Sequence, residues 1–511
     1  MASRRDQLNA YTFAKRRMLA SFVQSSPDGS EEGAPRPLRA VLPGAIVGVV
    51  VMAVFGAWGM FKPTAPQGWD AVGEKVIIAS ESTTRYVVLK TDGKVQLHPV
   101  LNMASAKLLL KSGKGEVVTV DESVLDKGDI PHGVTIGIPY APDRLPSASE
   151  AGAKKRWAVC ERPTAGGGSI QKAALVLASH DMSKTEGTER LTGGELMYVV
   201  DPDKRRYIVD AHGTAYQVDG SDELLLRTLV GLGRQPEKVS REWVRTLHKG
   251  DAIDFPTVEG QVSANAGVAG SLPAKANRVG MVLKARNGAG WQHYVVERGK
   301  VAPVSDFTAR LLLTSRDLTG LGQASQALEV SAGSFVPTTT EFAADKNWPS
   351  HEPKAVNDAD ASKGSRNTIC NVLRDVDTTG EGKGTTTLST WAGTDFPAVL
   401  PTGSSSAYVT PGSGQLYRQF TGEETSAGNV FLVTDTGLRY AMQSNADSAT
   451  DDAGVGTTAK EREELQNEAE LAQIRLGYSD VDPAPVPAEW SSFLSTGPRL
   501  STSAARQPQG S

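Results

Sequence analysis

The segment AVLPGAIVGVVVMAVFGAWGMF, residues 40–61, carries no charged side chain. About 20 apolar residues in a helix match the ~30 Å hydrocarbon core of a bilayer. A buried helix of that length in a globular domain would show a polar stripe. A signal peptide would have a shorter apolar region, lie nearer the N-terminus and end in small residues. Trp58 and Phe61 stand at the far edge of the run, where aromatic rings favour the membrane interface. The segment therefore reads as a single spanning helix. Arg4, Arg5, Lys15, Arg16, Arg17, Arg36 and Arg39 lie on its N-terminal side, against Lys62 and the more distant Lys75 on the other. That excess places the N-terminus in the cytoplasm and exports everything after residue 61. The expected location is the plasma membrane, crossed once.

Residues 1–24 read as a helix in which Leu8, Tyr11, Ala14, Met18 and Phe22 recur at helical spacing, with Arg5, Lys15 and Arg16 largely elsewhere. A basic amphipathic helix beside a membrane lies on anionic lipid or docks on a partner. Leu8, Tyr11, Met18 and Phe22, with the flanking Arg16 and Arg17, are the candidate docking residues; the alternative is that the arginines only enforce orientation. SSPDGSEEGAPRP, 25–37, is a joint.

The exported part says one thing twice. YVVLKTDGKVQLHPVLNMASAKLLL, 86–110, returns as YVVERGKVAPVSDFTARLLL, 294–313. Each gives a hairpin, the first with its turn at Asp92-Gly93, and then a helix. MYVVDPDKRRYIVDAHGTAYQV, 197–218, running into SDELLLRTLV, 221–230, repeats the pattern, with Ser221 as the expected N-cap. In the 294–313 copy Asp306 stands in front of FTARLLL. A weaker copy is NVFLVTDTGLRYAMQS, 429–444, followed by a helix at 460–478. Units of this size have too little core to stand alone, so copies must pack together or onto a hub. Segments 156–162, 369–373 and 388–400 are the expected hub, and 338–367 and 377–386 are long polar loops.

Cys160 and Cys370 are the only cysteines. In an exported region an even pair most simply forms one disulfide; two buried free thiols are the alternative. No CxxC spacing suggests a metal site. The seven histidines form no HxxxH or HExxH pattern. GGGSI and PGSGQ have their glycines out of frame for a nucleophile elbow. KSGKGE, GEGKGT and ERGKVA fail as P-loops at the residue after Gly-Lys. A net charge of −4 argues against a nucleic-acid partner. No catalytic residue, cofactor or metal is expected.

RRDQLNAYTFAKRRMLASFV, the single apolar helix, RYVV (85–88), LHPVLNMASAKLLL (97–110), GIPYAPDRLP (137–146), WAVC (157–160), LVTDTGLRY (432–440), LGY (476–478) and TGPRLSTSAA (496–505) together resemble EccB, the single-pass membrane component of type VII (ESX-type) secretion machinery. The resemblance implies repeat domains about a central sheet that carries the disulfide, with pseudo-twofold symmetry. It implies assembly with an FtsK/SpoIIIE-like ATPase (EccC), with EccD-like and EccE-like membrane proteins, and with further copies of the chain. The expected fold class is α+β: a cytoplasmic helix and linker (1–39), a spanning helix (40–61), a spacer (62–75), an elongated extracytoplasmic region of hairpin-plus-helix units around a β-rich centre (76–495), and a C-terminal tail (496–511). The expected function is a structural, assembly subunit. The alternatives are a membrane-tethered binder of cell-wall polymer, and an ATPase, as some family members are labelled.

Overall fold

The computed structural model describes residues 3–23, 38–60, 65–91, 93–164, 169–288, 290–359, 365–400, 406–442 and 470–509, without the side chains of 23, 38–40 and 58–60. The joint at 25–37, Phe61, Lys62, Asp92 and the first half of the helix read at 460–478 therefore lie outside the described residues. The chain divides into two compact units, Met1–Gln67 and Gly68–Ser511.

The first unit holds α1 (Arg4–Val23) and α2 (Leu38–Met60). Among the described residues no helix is long and apolar enough to cross a membrane. The described side chains of α2 cover only 41–57, and every one of them is uncharged and exposed.

The second unit contains five sheets. Four share one order of connections. In the first, β1 (Lys75–Ala79), β2 (Arg85–Thr91) and β3 (Lys94–Val100) form an antiparallel meander. Helix α3 (Met103–Leu109) follows, and then β4 (Glu116–Val120), which pairs parallel with β1. One turn, α4 (Glu122–Leu125), leads to a segment that bridges β3 in parallel through His132 and Ile136.

The second sheet repeats this with β7 (Glu195–Val200), β8 (Arg206–Val209), β9 (Thr214–Val218) and α6 (Glu223–Val230). It is completed by β10 (Glu237–Lys238) beside β7, α7 (Arg241–Arg245), and β11 (His248–Lys249) beside β9. The third uses β12 (Val282–Asn287), β13 (Gly290–Glu297), β14 (Lys300–Val304), α8 (Asp306–Thr314) and β15 (Leu328–Glu329), with Pro337 bridging β14. The fourth has β20 (Gly414–Phe420), β21 (Val430–Thr434) and β22 (Leu438–Ala441), then the helix 470–476, here α9. Its edges are β23 (Ala484–Pro487) beside β20 and, after α10 (Ala488–Ser491), β24 (Ser495–Thr496) beside β22.

Two expectations change here. The hairpin and helix read from the sequence belong to a larger unit, a three-stranded meander with one or two short parallel edge strands. The edge strands are too short for a period-two pattern to declare itself, and the opening strands, such as KVIIA at 75–79, look like any apolar run. The N-cap of α6 is Asp222, whose carboxylate accepts from Leu224 N and Leu225 N, both at 3.0 Å; the Ser221 hydroxyl donates to Asp219 instead. A charged acceptor at a helix N-terminus outcompetes the hydroxyl beside it. In α8 the cap is Ser305, and Asp306 is the first helical residue. The echoed residues keep their register: Tyr86 faces Pro99 and Tyr294 faces Pro303.

The fifth sheet, ordered β18-β17-β5-β6-β19, lies between the others in sequence. It contains β5 (Arg156–Pro163), β6 (Ile170–Leu177), β17 (Thr368–Val376), β18 (Thr386–Gly393) and β19 (Ala407–Val409), so the expected hub segments 156–162 and 369–373 and the first part of 388–400 belong to one sheet, while 394–400 lie beyond its strand. Cys160 and Cys370 sit directly opposite each other on antiparallel β5 and β17 and form the disulfide, with Cα atoms 4.0 Å apart. Both are fully buried on the face that also carries Trp391, Leu175 and Val372.

The opposite face, with Trp157, Val159, Ala174 and Val176, shares one core with the second and fourth sheets. The first and fourth sheets share another core, and Phe307 and Leu311 of α8 join the core of the second. Within the segment read as a C-terminal tail, residues 496–509 pack into the fold. Leu500 and Ala505 are fully buried in the core of the first and fourth sheets, and α11 (Thr502–Ala505) packs on α3.

Three of the four meander sheets close on a glycine pressed against a ring. A Cβ on Gly133 would lie 2.3 Å from His98, on Gly250 2.4 Å from Tyr216, and on Gly497 2.4 Å from Tyr440. Gly497→Ala and Gly250→Ala should each lower stability by about 1–3 kcal/mol, read as a drop in the melting temperature of the detergent-solubilised chain. Gly320→Ala, with nothing within 4 Å, should leave it unchanged. Removing the disulfide as the double variant Cys160→Ala/Cys370→Ala releases a loop of sequence separation 210. It should cost about 2–5 kcal/mol on the chain-entropy argument, seen as a lower denaturant midpoint.

Candidate functional site

The sequence-predicted docking residues lie on α1. Leu8 is 65% exposed, Tyr11 69%, Met18 68% and Phe22 93%. At 100° per residue they fall on one side of the helix. The same rotation brings Lys15 onto that side, because it follows Tyr11 by four and precedes Met18 by three. The stripe is thus apolar with a cation inside it, not apolar with its cations elsewhere. Arg16 and Arg17 flank it and are exposed. These residues lie together on one helix of the first unit, and Cys160 and Cys370 belong to the second.

Within the second unit several buried polar groups hold sheets to one another. Glu161 of β5 is fully buried and accepts from Ser240 N at 2.7 Å and from the Ser240 hydroxyl at 2.5 Å. Burial pushes its carboxyl above the usual range, and the two Ser240 bonds oppose that push. Ser240 caps α7, whose Trp243 is fully buried and donates from Nε1 to the Val159 carbonyl at 3.1 Å. One short helix is thereby held to the central sheet at both its cap and its ring. Across that face the Trp157 Nε1 donates to Gln415 Oε1 of the fourth sheet at 2.8 Å, and Trp490 of α10 is buried in the same core.

At the rim of the central sheet Glu186 gathers three arginines. Arg156 donates at 2.6 Å, Arg190 at 2.8 Å, and Arg374 closes the cluster. Burial raises the Glu186 carboxyl, but the Arg374 and Arg190 hydrogen bonds outweigh it and hold the group below its ordinary value. The α3–α9 pair is tied by Arg475, which donates to the Leu108 carbonyl at 3.2 Å, and just beyond α9 the Tyr478 hydroxyl donates to the Pro146 carbonyl at 2.9 Å.

The histidines serve the fold as well. His98 is buried between Thr91 Oγ1 and the Val134 carbonyl, His248 meets Thr386 Oγ1 at 2.8 Å, and His293 meets Asp306 at 2.8 Å. A cavity of about 400 Å³ is lined by Arg144, Ser147, Glu150, His180 and Ser413 among others; Glu150 spends its charge on the buried Lys155 at 2.5 Å. Among the described residues no cluster of His, Cys, Asp and Glu is placed to hold a metal ion.

Sequence reasoning missed the tryptophan helices. The signal was present: VSREW at 239–243 and VPAEW at 486–490 are the same phrase, each placing a tryptophan on the helix between the two edge strands. The two strings share only three of five residues, and their meaning depends on a topology that became visible in the structure.

Residues 1–510 match the family described as type VII secretion system ESX-1, transport TM domain B. The ESX-3 secretion system ATPase EccB3 of Mycolicibacterium smegmatis is 26% identical over 527 residues, covering 97% of this chain and 89% of the relative. The ESX-1 secretion system ATPase EccB1 of Mycobacterium tuberculosis is 25% identical over 349 residues, 68% of this chain and 67% of the relative. Among solved structures, the EccB3 dimer from the ESX-3 core complex matches with a TM-score of 0.54 at 22% identity, over 84% of this chain and 99% of that one. A chain of the intact ESX-5 inner membrane complex matches with a TM-score of 0.54 at 17% identity, over 100% and 96%. At those identities the structural likenesses establish the fold, and the family match extends over nearly the whole sequence. The chain belongs to the EccB family, the membrane component B of type VII secretion systems.

Proposed function

We propose that this EccB-family protein anchors and scaffolds a type VII export complex and does no chemistry of its own. One observation carries the reading: three buried tryptophans, two of them hydrogen-bonded across to a neighbouring element, lie in the seams between sheets. Trp157, Trp243 and Trp490 meet in one core that clamps two meander sheets onto a disulfide-bridged centre. Such an object is rigid where a machine needs a frame. The four sheets of common topology fit internal duplication, which builds an extended platform from one stable unit.

In this reading α2 spans the plasma membrane, its uncharged exposed surface facing lipid, and the second unit stands outside. Helix α1 offers Leu8, Tyr11, Met18 and Phe22, with Arg16 and Arg17, to cytoplasmic partners: an FtsK/SpoIIIE-like ATPase and EccD-like and EccE-like membrane proteins. Lys15 in the stripe and the basic flank favour an acidic partner surface or anionic lipid headgroups. The EccB3 relative solved as a dimer supports self-association here.

The word ATPase in the relatives' names favours a second reading. Purified chain should hydrolyse no ATP once the FtsK-like partner is removed. Hydrolysis that stays with the chain and is lost by a substitution within it would establish the second reading instead.

Tyr11→Ala and Phe22→Ala should each reduce the partner ATPase retained on a native gel after gentle extraction by about tenfold, while the chain remains in the membrane fraction. An intact assembly in both variants would remove α1 as the docking element. Protease added outside intact cells should digest the part after residue 60 and spare α1; loss of α1 would invert the topology.

A further inference from the structure

The second and fourth sheets reach the same face of the central sheet through equivalent pieces, an edge strand and a short helix, yet the two seams differ in chemistry. The fourth sheet presents Ala484, Val486, Pro487 and Trp490. At the matching positions the second presents Glu237, Val239, Ser240 and Trp243. The fourth seam thus packs on the central sheet with no carboxyl at these positions, its cross-seam bond running from Trp157 to the neutral Gln415, and the second seam departs from it.

Glu237 is 1% exposed. Its Oε2 accepts from Asn357 Nδ2 at 3.2 Å, and Oε1 has no partner among the described residues. Asn357 is itself fixed, accepting from Tyr198 N at 2.7 Å and donating to the Tyr198 carbonyl at 3.0 Å. The second carboxyl of the seam, Glu161, comes from the central sheet and is fully buried against Ser240.

Among the described residues, the charges around them do not supply a free cation. Lys172 of β6 attracts Glu161 but is paired at 3.0 Å with Glu242 of α7, which repels it. Arg234 spends its guanidinium on the Val230 and Asn357 carbonyls. Burial holds the Glu237 carboxyl well above the ordinary range, against the opposing Asn357 bond, and the charge of Glu161 pushes the same way.

We propose that this seam is a proton-operated latch: Glu237 keeps its proton while β10 and α7 lie against the central sheet, and losing that proton releases them. The carboxylic acid is the form that a site with one amide donor tolerates; a buried carboxylate with an empty oxygen is not. The opened segment exposes Glu237 to water, where it ionises near its ordinary value of 4.5. The closed form thus binds one proton more. Stability of the latch is fully present below that value and falls as pH rises toward the elevated value of the closed form, so opening grows about tenfold per pH unit in between.

The experiment is hydrogen exchange on the full chain in detergent at pH 5.5, 6.5 and 7.5, corrected for intrinsic exchange. Amides of 238–246 should open progressively more as pH rises, by at most about tenfold per pH unit, while those of 484–494 should not change. Glu237→Gln should flatten the first segment and protect it at the highest pH. Equal slopes in the two segments of the wild-type chain overturn the latch, and that comparison stands even if the variant fails to fold. A slope that survives in Glu237→Gln also overturns it.

Discussion

The pairing of β5 with β17 is the contact on which the fold of the second unit depends. It joins Cys160 to Cys370 across a sequence separation of 210. Everything in the second and third sheets is an excursion that leaves the central sheet after β6 and returns at β17. Closing so long a loop is entropically expensive, and the reward arrives only when both strands are in place. The disulfide removes much of that cost from the unfolded ensemble. The first sheet precedes β5 and the fourth follows β19, so the same closure also settles where the flanking pair can pack.

Onto that frame the four meander sheets attach in two ways. The second and fourth lie on the Trp157 face and share its core. The first packs on the fourth, and α8 of the third packs on the second. Helices tie these pairs, α3 with α9 and α6 with α8, the second through a Thr228–Thr314 hydroxyl contact at 3.2 Å. No meander sheet buries its helix alone. The unit is stable because a neighbour covers it, which is why the chain needs copies at all.

The repetition was legible because an echo in sequence is a comparison the chain makes with itself. Tyr-Val-Val followed by Gly-Lys-Val and Leu-Leu-Leu gave the second and third strands and the helix of two sheets in correct register. The first strands and edge strands were not legible. They are short, and a parallel edge pair is specified by what lies beside it rather than by its own pattern. Ser221 looked like a cap because serine at that place usually is one; Asp222, one residue on, was the stronger acceptor. The seams were hidden for the same reason as the edges: Glu161 and Glu237 lie far apart in sequence, and nothing in either stretch marks it as buried.

By itself the sequence determined the local chemistry: an uncharged apolar helix with a basic flank, a pair of cysteines in β-like runs, a repeated unit, and family motifs in order along the chain. These depend on composition and spacing within about twenty residues, where the backbone alone places side chains relative to one another. Tertiary structure decided which strands pair in parallel, that Cys160 faces Cys370 in one sheet, and that the last residues fold back onto α3. It also decided that one of two equivalent seams buries a carboxyl, Glu237, where the other has Ala484. Those outcomes rest on contacts between residues far apart in the chain, whose energies appear only when burial removes water from both partners.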